Sequence, residues 1–175
     1  MTKTVKGEAF IIKKRRLLGN DILITFFSQE YGKIGLIGRG AGTLLSRRAP
    51  HIQTGNLINF VARRKDSYWY LAETDLISAF SKTKESETKL NQKYIFLSIL
   101  DRLLAEEQKE EKIYIMVKKF FVNLAQDPEF KNSDVEAYLN LLLQYLGYST
   151  EKKSYSEIAE IVHDLTHTSL PAFLI

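Results

Sequence analysis

Hydrophobic and polar positions alternate with a period of two through the first 80 residues and then change to a period of 3.6. The segments EAFIIKKRR, DILITFFS, GKIGLIGRG, NLINFVARR and SYWYLAET are short and rich in β-branched and aromatic residues. Gly, Asn, Asp or Pro bounds them, which is the pattern of five strands. A helical crossover between strands needs a dozen or more residues, and only the 41–54 stretch is long enough for one. The strands are therefore expected to form a small antiparallel barrel or sandwich.

Beyond about residue 82 three helical stripes follow. The first is Leu90, Tyr94, Leu97, Leu100 and Leu104. The second is Ile113, Val117, Phe120, Phe121 and Leu124. The third is Val135, Tyr138, Leu139, Leu142, Tyr145 and Leu146. The spacing predicts three helices, with Ser133 or Asn132 as the cap of the third, Gly147 as its stop, and a short last helix in SYSEIAEIVHDL. SKTKESETK (81–89) is the expected joint between a β module, 1–80, and an all-α module, 81–175.

Charge separates along the same line. Residues 1–80 carry 13 Lys/Arg against 6 Asp/Glu, a net of +7, whereas residues 81–175 carry 12 against 15, a net of −3. A basic first module points to a polyanionic partner. The chain has no cysteine, which excludes disulfides, thiolate metal sites and thiol nucleophiles and fits a reducing cytoplasm. No segment has the apolar length to span a membrane.

The stretch KIGLIGRGAGTLLSRRA (33–49) holds four glycines and four basic residues. It lacks the Gly-Lys-Ser/Thr of a P-loop. Its Gly38, Gly40 and Gly42 make G-x-G-x-G without the helix a dinucleotide fingerprint requires. On a strand, Lys33, Gly35, Ile37 and Arg39 share one face, and the stretch beyond is read as a flexible connector presenting Arg47 and Arg48. Lys13, Lys14, Arg15 and Arg16 end the first strand, and Arg63, Arg64 and Lys65 end the fourth. Tyr31, Tyr68, Trp69 and Tyr70 are interleaved with them. Cations and stacking platforms on one small barrel are how OB-type folds hold single-stranded nucleic acid. The opposing expectation is that the basic runs are solvated strand ends and the YWY aromatics are core.

The segment DILITFFSQEYGKIGLIGRGA (21–41) resembles the N-terminal region of the RecO recombination-mediator family through Asp21, Leu23, Thr25, Phe26, Glu30, Gly32, Arg39, Gly40 and Ala41. LAETDLISAF (71–80) is similar to that family's strand-to-helix exit, and LNLLLQYLGY (139–148) to its Leu-rich helix. The chain departs from the family in having Gly42 where a basic residue is frequent, in lacking a four-cysteine zinc module, and in its shorter C-terminal part. The resemblance implies an N-terminal five-stranded OB-like barrel followed by a helical domain. It also implies a mediator of DNA repair and homologous recombination that binds and anneals single-stranded DNA. The implied partners are a RecR-type mediator, the single-strand-binding protein and, indirectly, the RecA recombinase. Lys118, Lys119 and Phe121 are the expected docking residues for the acidic, aromatic-ended tail of the single-strand-binding protein; core packing of Phe121 is the alternative.

Other chemistry finds little support. His163 and His167 stand four apart around Asp164, yet none of the eight residues after His167 is a metal ligand. EEQKEE (106–111) reads as a solvated helix end, not a nuclease site. No cofactor and no enzymatic activity are expected. An RNA-binding or RNA-chaperone OB module remains the alternative function, because no residue reports on a 2′-hydroxyl.

Overall fold

The computed structural model describes residues 3–43 and 46–173; Leu44 and Leu45, within the connector considered above, lie outside the described residues. The chain forms two compact units. One comprises Met1–Ala79 with Ala105–Glu111, the other Phe80–Leu104 with Lys112–Ile175.

The first unit is a closed five-stranded barrel in the order β1-β2-β3-β5-β4. Its strands are β1 Thr4–Arg16, β2 Ile22–Ser28, β3 Gly32–Gly38, β4 Leu57–Lys65 and β5 Tyr68–Ser78. All pairings are antiparallel except one: β3 and β5 run parallel through Leu36–Trp69 and Ile37–Tyr70. Alternation fills the interior with Val5, Ala9, Ile11, Ile24, Phe26, Ile34, Leu36, Ile58, Phe60 and Ala62, as a two-residue period requires. A bulge between Ile11 and Lys13 breaks the period of β1. Phe10, Ile11 and Ile12 are consequently all buried, and the four basic residues that follow are exposed.

Among its described residues the connector between β3 and β4 is built of turns. Successive turns run from Ser46 N–H to Thr43, from Ala49 N–H to Ser46 and from Ile52 N–H to Arg48. The Asn56 amide donates to the carbonyls of Pro50 and His51 at 3.0 and 2.9 Å, and Ile52 is buried in the barrel core.

Residues 105–111 differ from the expected helix end. Residues 105–110 are non-helical: Glu106 forms an isolated bridge with Lys33, and Glu107, at φ +55°, donates its N–H to the Lys33 carbonyl at 2.8 Å. Gly32 permits this approach: its φ is +68°, and a Cβ there would stand 1.9 Å from the Gln108 carbonyl oxygen. Any side chain would displace that segment from β3.

The second unit holds α1 Glu87–Leu103, α2 Glu111–Gln126, α3 Asn132–Tyr145 and α4 Tyr155–Thr166, preceded by a single 3-10 turn, Ser81–Lys84. Ser86 caps α1 by accepting from Lys89 N–H. Ser154 and Glu157 form a reciprocal capping box on α4. The cap of α3, expected at Ser133 or Asn132, falls at Lys131, one residue before Asn132. The helix begins at Asn132, and the Lys131 N–H donates to the Asp134 carboxylate at 2.7 Å.

The core of this unit is aromatic. Phe96 stacks on Phe120 at 3.8 Å between centroids, and Phe121 meets Phe80 at 5.1 Å and Phe120 at 5.5 Å. The buried face of α1 contains Lys93, Phe96, Leu97 and Leu100, while Tyr94, placed on the apolar stripe by spacing, is half exposed. No helix among the described residues is long and apolar enough to cross a membrane.

Lys93 is the odd member of that buried face. Burial, reinforced by the nearby Lys84 charge, lowers its ammonium pKa to about 8, and its Nζ sits 4.7 Å from the Tyr94 ring centroid. The folded state therefore holds this proton less tightly than the unfolded chain, so stability rises with pH between about 8 and the ordinary value of 10.5. Lys93→Met is expected to raise the melting temperature at pH 7, by roughly 2–4 °C per kcal/mol recovered. That advantage should shrink as the pH climbs past about 8. Thermal melts across pH 7–10.5 for both proteins check the sign.

Candidate nucleic-acid interface

Four basic segments were expected on the barrel, and the structure gives them different employments. Lys33 is buried and its ammonium lies 3.2 Å from the Glu106 carboxylate, so it faces the 105–111 segment and not solvent. Its face-mates on β3 follow the expected alternation: Gly35 and Arg39 are exposed.

Arg48 is likewise committed. One terminal nitrogen donates to the Leu71 carbonyl at 2.8 Å and the other to the Arg39 carbonyl at 2.7 Å. The guanidinium thus bridges β5 and the end of β3. Its planar fork suits two carbonyls at fixed separation in a way a lysine could not. Arg47, one residue earlier, is exposed.

The glycines have a structural task as well. Gly40 N–H donates to Asp21 Oδ1 at 2.8 Å, and Gly42 N–H donates to the Asn20 carbonyl at 2.8 Å. Gly40 turns the chain at φ +61°, and a Cβ on Gly42 would come within 3.0 Å of the Asn20 oxygen. The amides that a phosphate cradle would aim at its ligand are bonded to the β1–β2 turn. The loop is a brace.

The remaining cations line up by strand register. Arg63 on β4 is opposite Tyr70 on β5, and Lys65 is opposite Tyr68; directly opposed residues of an antiparallel pair point to the same side. Arg39 lies over the Tyr70 ring at 4.4 Å, which joins the end of β3 to that row. The same end carries Lys13, Lys14, Arg15 and Arg16, all exposed; by register Arg15, opposite Leu23 and through it Ile37, falls on the side of Tyr70 with Lys13, while Lys14 and Arg16, opposite Ile24 and Ile22, point to the other side. Lys14 donates to Gln53 Oε1 at 2.7 Å. Partial burial, and then repulsion from Arg16, lowers its pKa. A cationic track with two tyrosines therefore runs from the β4–β5 hairpin to the β1–β2 hairpin. Tyr68 is 60% exposed, leaving a ring face open for stacking. Trp69 points the other way, packed on the barrel core beneath Lys3 and Arg64 at 5.9 and 5.7 Å.

In the helical unit Lys118 and Lys119 are exposed, but Phe121 is fully buried in the aromatic core and has no open face. A groove of about 250 Å³ lies instead between α2 and α3, lined by Lys112, Ile115, Lys119, Leu141 and Tyr145. Ile115, Leu141 and Tyr145 are 47%, 38% and 44% exposed. Spacing had assigned Tyr145 to the apolar stripe and overlooked Ile115 and Leu141; three apolar side chains on two helices form this groove only once α2 and α3 pack. Among the described residues no group of His, Cys, Asp or Glu is arranged to hold a metal. His163 and His167 are exposed on α4 and at its end.

Residues 1–80 match the family described as Recombination protein O N terminal. A DNA repair protein RecO of Thermoanaerobacter sp. is 26% identical over 149 residues, covering 83% of this chain and 59% of that protein. Those of Caldanaerobacter subterraneus and Clostridium acetobutylicum are 25% and 24% identical, over 65% and 94% of this chain and 46% and 66% of theirs. The chain thus spans about half to two thirds of the length of these relatives. On these matches the barrel-forming residues 1–80 are similar to the N-terminal region of the RecO family, and most of the chain is similar to proteins named DNA repair protein RecO.

The brace makes a direct prediction. Asp21→Ala removes a charged acceptor from Gly40 N–H and should cost about 1.5–3 kcal/mol, whereas Asp21→Asn, which keeps an oxygen in place, should cost less. Denaturant unfolding measures the difference, and amide exchange at Gly40 should quicken in the alanine variant alone.

Proposed function

We infer that this protein binds single-stranded DNA along the track of Arg63, Tyr70, Arg39 and Arg15, and serves DNA repair and homologous recombination. The observation that carries the reading is the row in which Arg63, Tyr70 and Arg39 fall side by side, with Lys65 and Tyr68 beside them. Cations spaced along a groove meet successive phosphates, and an exposed ring offers a face to any base, which gives affinity with little sequence preference. Such binding suits annealing, where two strands of arbitrary sequence must be held and released. The relatives named DNA repair protein RecO support the same role. In this reading the protein helps load a RecA-type recombinase onto strands covered by single-strand-binding protein, together with a RecR-type mediator.

The tail of the single-strand-binding protein would dock in the α2–α3 groove. Lys112 and Lys119 there flank the apolar surface of Ile115, Leu141 and Tyr145, a match for an acidic segment with an apolar end. Lys119 keeps its expected part, with Lys118 beside it; Phe121 acts only by packing.

Fluorescence anisotropy of labelled single-stranded DNA, duplex DNA and RNA over a range of salt tests the strand reading. Single-stranded DNA should bind best, with log affinity falling linearly against log salt by about 0.7 per phosphate contact. The double variant Arg39→Gln, Arg63→Gln should flatten that slope by about 1.4 if each side chain meets one phosphate. Tighter binding to RNA would favour the RNA-module function, and an unchanged slope in the folded double variant would remove the track from the interface.

A further inference from the structure

The β1–β2 turn, Leu17–Asp21, carries a feature that charge alone does not account for. Leu18 is 98% exposed. A lone surface leucine ordinarily needs no explanation, but this one sits at the tip of a hairpin fastened from two directions. Within the turn, Leu17 N–H donates to the Asp21 carbonyl at 2.9 Å. From the side, the glycine loop grips Asn20 and Asp21 through Gly42 and Gly40. Next to it Gly19 stands at φ +71° with nothing within 4 Å of where a Cβ would be, so open space surrounds the tip. Exposed Arg15 and Arg16 lead into it, on the end of the barrel that also carries Arg39.

We propose that Leu18 is an apolar wedge that inserts between neighbouring bases of the bound strand while the flanking arginines hold its phosphates. This rests on the strand-binding reading above and adds a residue to it. A wedge must be small enough to enter a base step, apolar, and held on a rigid support, so that the cost of unstacking is not added to a cost of ordering the tip. The braced hairpin meets these requirements, and the glycine loop acquires its purpose: its amides hold the wedge instead of a phosphate. An inserted leucine breaks the stacking of the free strand, which keeps the bases separated and accessible for pairing.

The full-length chain and its Leu18→Ser variant can be compared on a short oligodeoxyadenylate carrying a single 2-aminopurine, whose fluorescence rises when it is unstacked. Leu18 makes no core contact, so the variant should melt at the wild-type temperature. The expected result is a fluorescence rise with the wild type that is largely absent with Leu18→Ser. Affinity should drop about three- to tenfold, at or below the value of one stacked base, while the salt slope stays unchanged because no charge is removed. Leu18→Phe should restore the signal. Equal fluorescence and affinity for wild type and Leu18→Ser would overturn the wedge and leave the cationic track standing. Failure of the wild type to bind the strand would overturn both. Binding to anionic phospholipid vesicles that is lost in Leu18→Ser, with strand binding unaltered, would reassign the tip to a lipid surface and also overturn the proposal.

Discussion

Strands β3 and β5 close the barrel through only Leu36–Trp69 and Ile37–Tyr70, whereas β1 pairs with β2 from Ala9 to Arg16 and with β4 from Thr4 to Phe10. The closing ladder is the weakest seam in the wall, and Arg48 clips it from outside. Its guanidinium holds the Leu71 carbonyl of β5 and the Arg39 carbonyl just beyond β3. Much else at this end of the barrel follows from that closure. Arg39 is held where its side chain reaches Tyr70, and the glycine loop that begins at Arg39 is directed toward the β1–β2 turn.

The basic residues of the barrel accordingly fall into two groups with different physics. Lys33 and Arg48 bond inward, to Glu106 and to main-chain carbonyls. There a cation contributes through short, partly desolvated hydrogen bonds and is screened less by salt. Arg15, Arg16, Arg39, Arg47, Arg63 and Lys65 are exposed, where their value lies in long-range attraction and counterion release. A net charge of +7 for residues 1–80 conceals this division.

Two periodicities, read along the chain, convey the five strands and the helices, because alternation and helical stripes are local consequences of burial. The parallel β3–β5 pair was not legible, since it joins segments more than thirty residues apart through two residues each. Nor was the return of residues 105–111 to the barrel. Its signal is Gly32, whose missing side chain looks like any other glycine until Gln108 is seen against it. At the site, the cations and tyrosines could be named from composition, but not their employment. Arg47 and Arg48 are adjacent and chemically identical, yet one is exposed and the other is bonded to two strands. Phe120 and Phe121 illustrate the same limit. Docking and core packing were both open for Phe121 in the sequence, and the ring of Phe80 supplies it with a core neighbour that the spacing of α2 does not reveal.

The adjacent arginines also offer the sharpest trial of the division between holding and binding. Arg47→Gln and Arg48→Gln can each be measured for unfolding free energy and for the salt slope of single-stranded DNA binding. If Arg48 clips the seam, its replacement lowers stability by about 1.5–3 kcal/mol, with the salt slope preserved under conditions where the variant stays folded. Replacement of Arg47 should leave stability within about 0.5 kcal/mol and reduce the slope. The reverse pattern, with Arg48→Gln stable but shallower in salt, would show that the guanidinium meets phosphate and that the barrel closes without it.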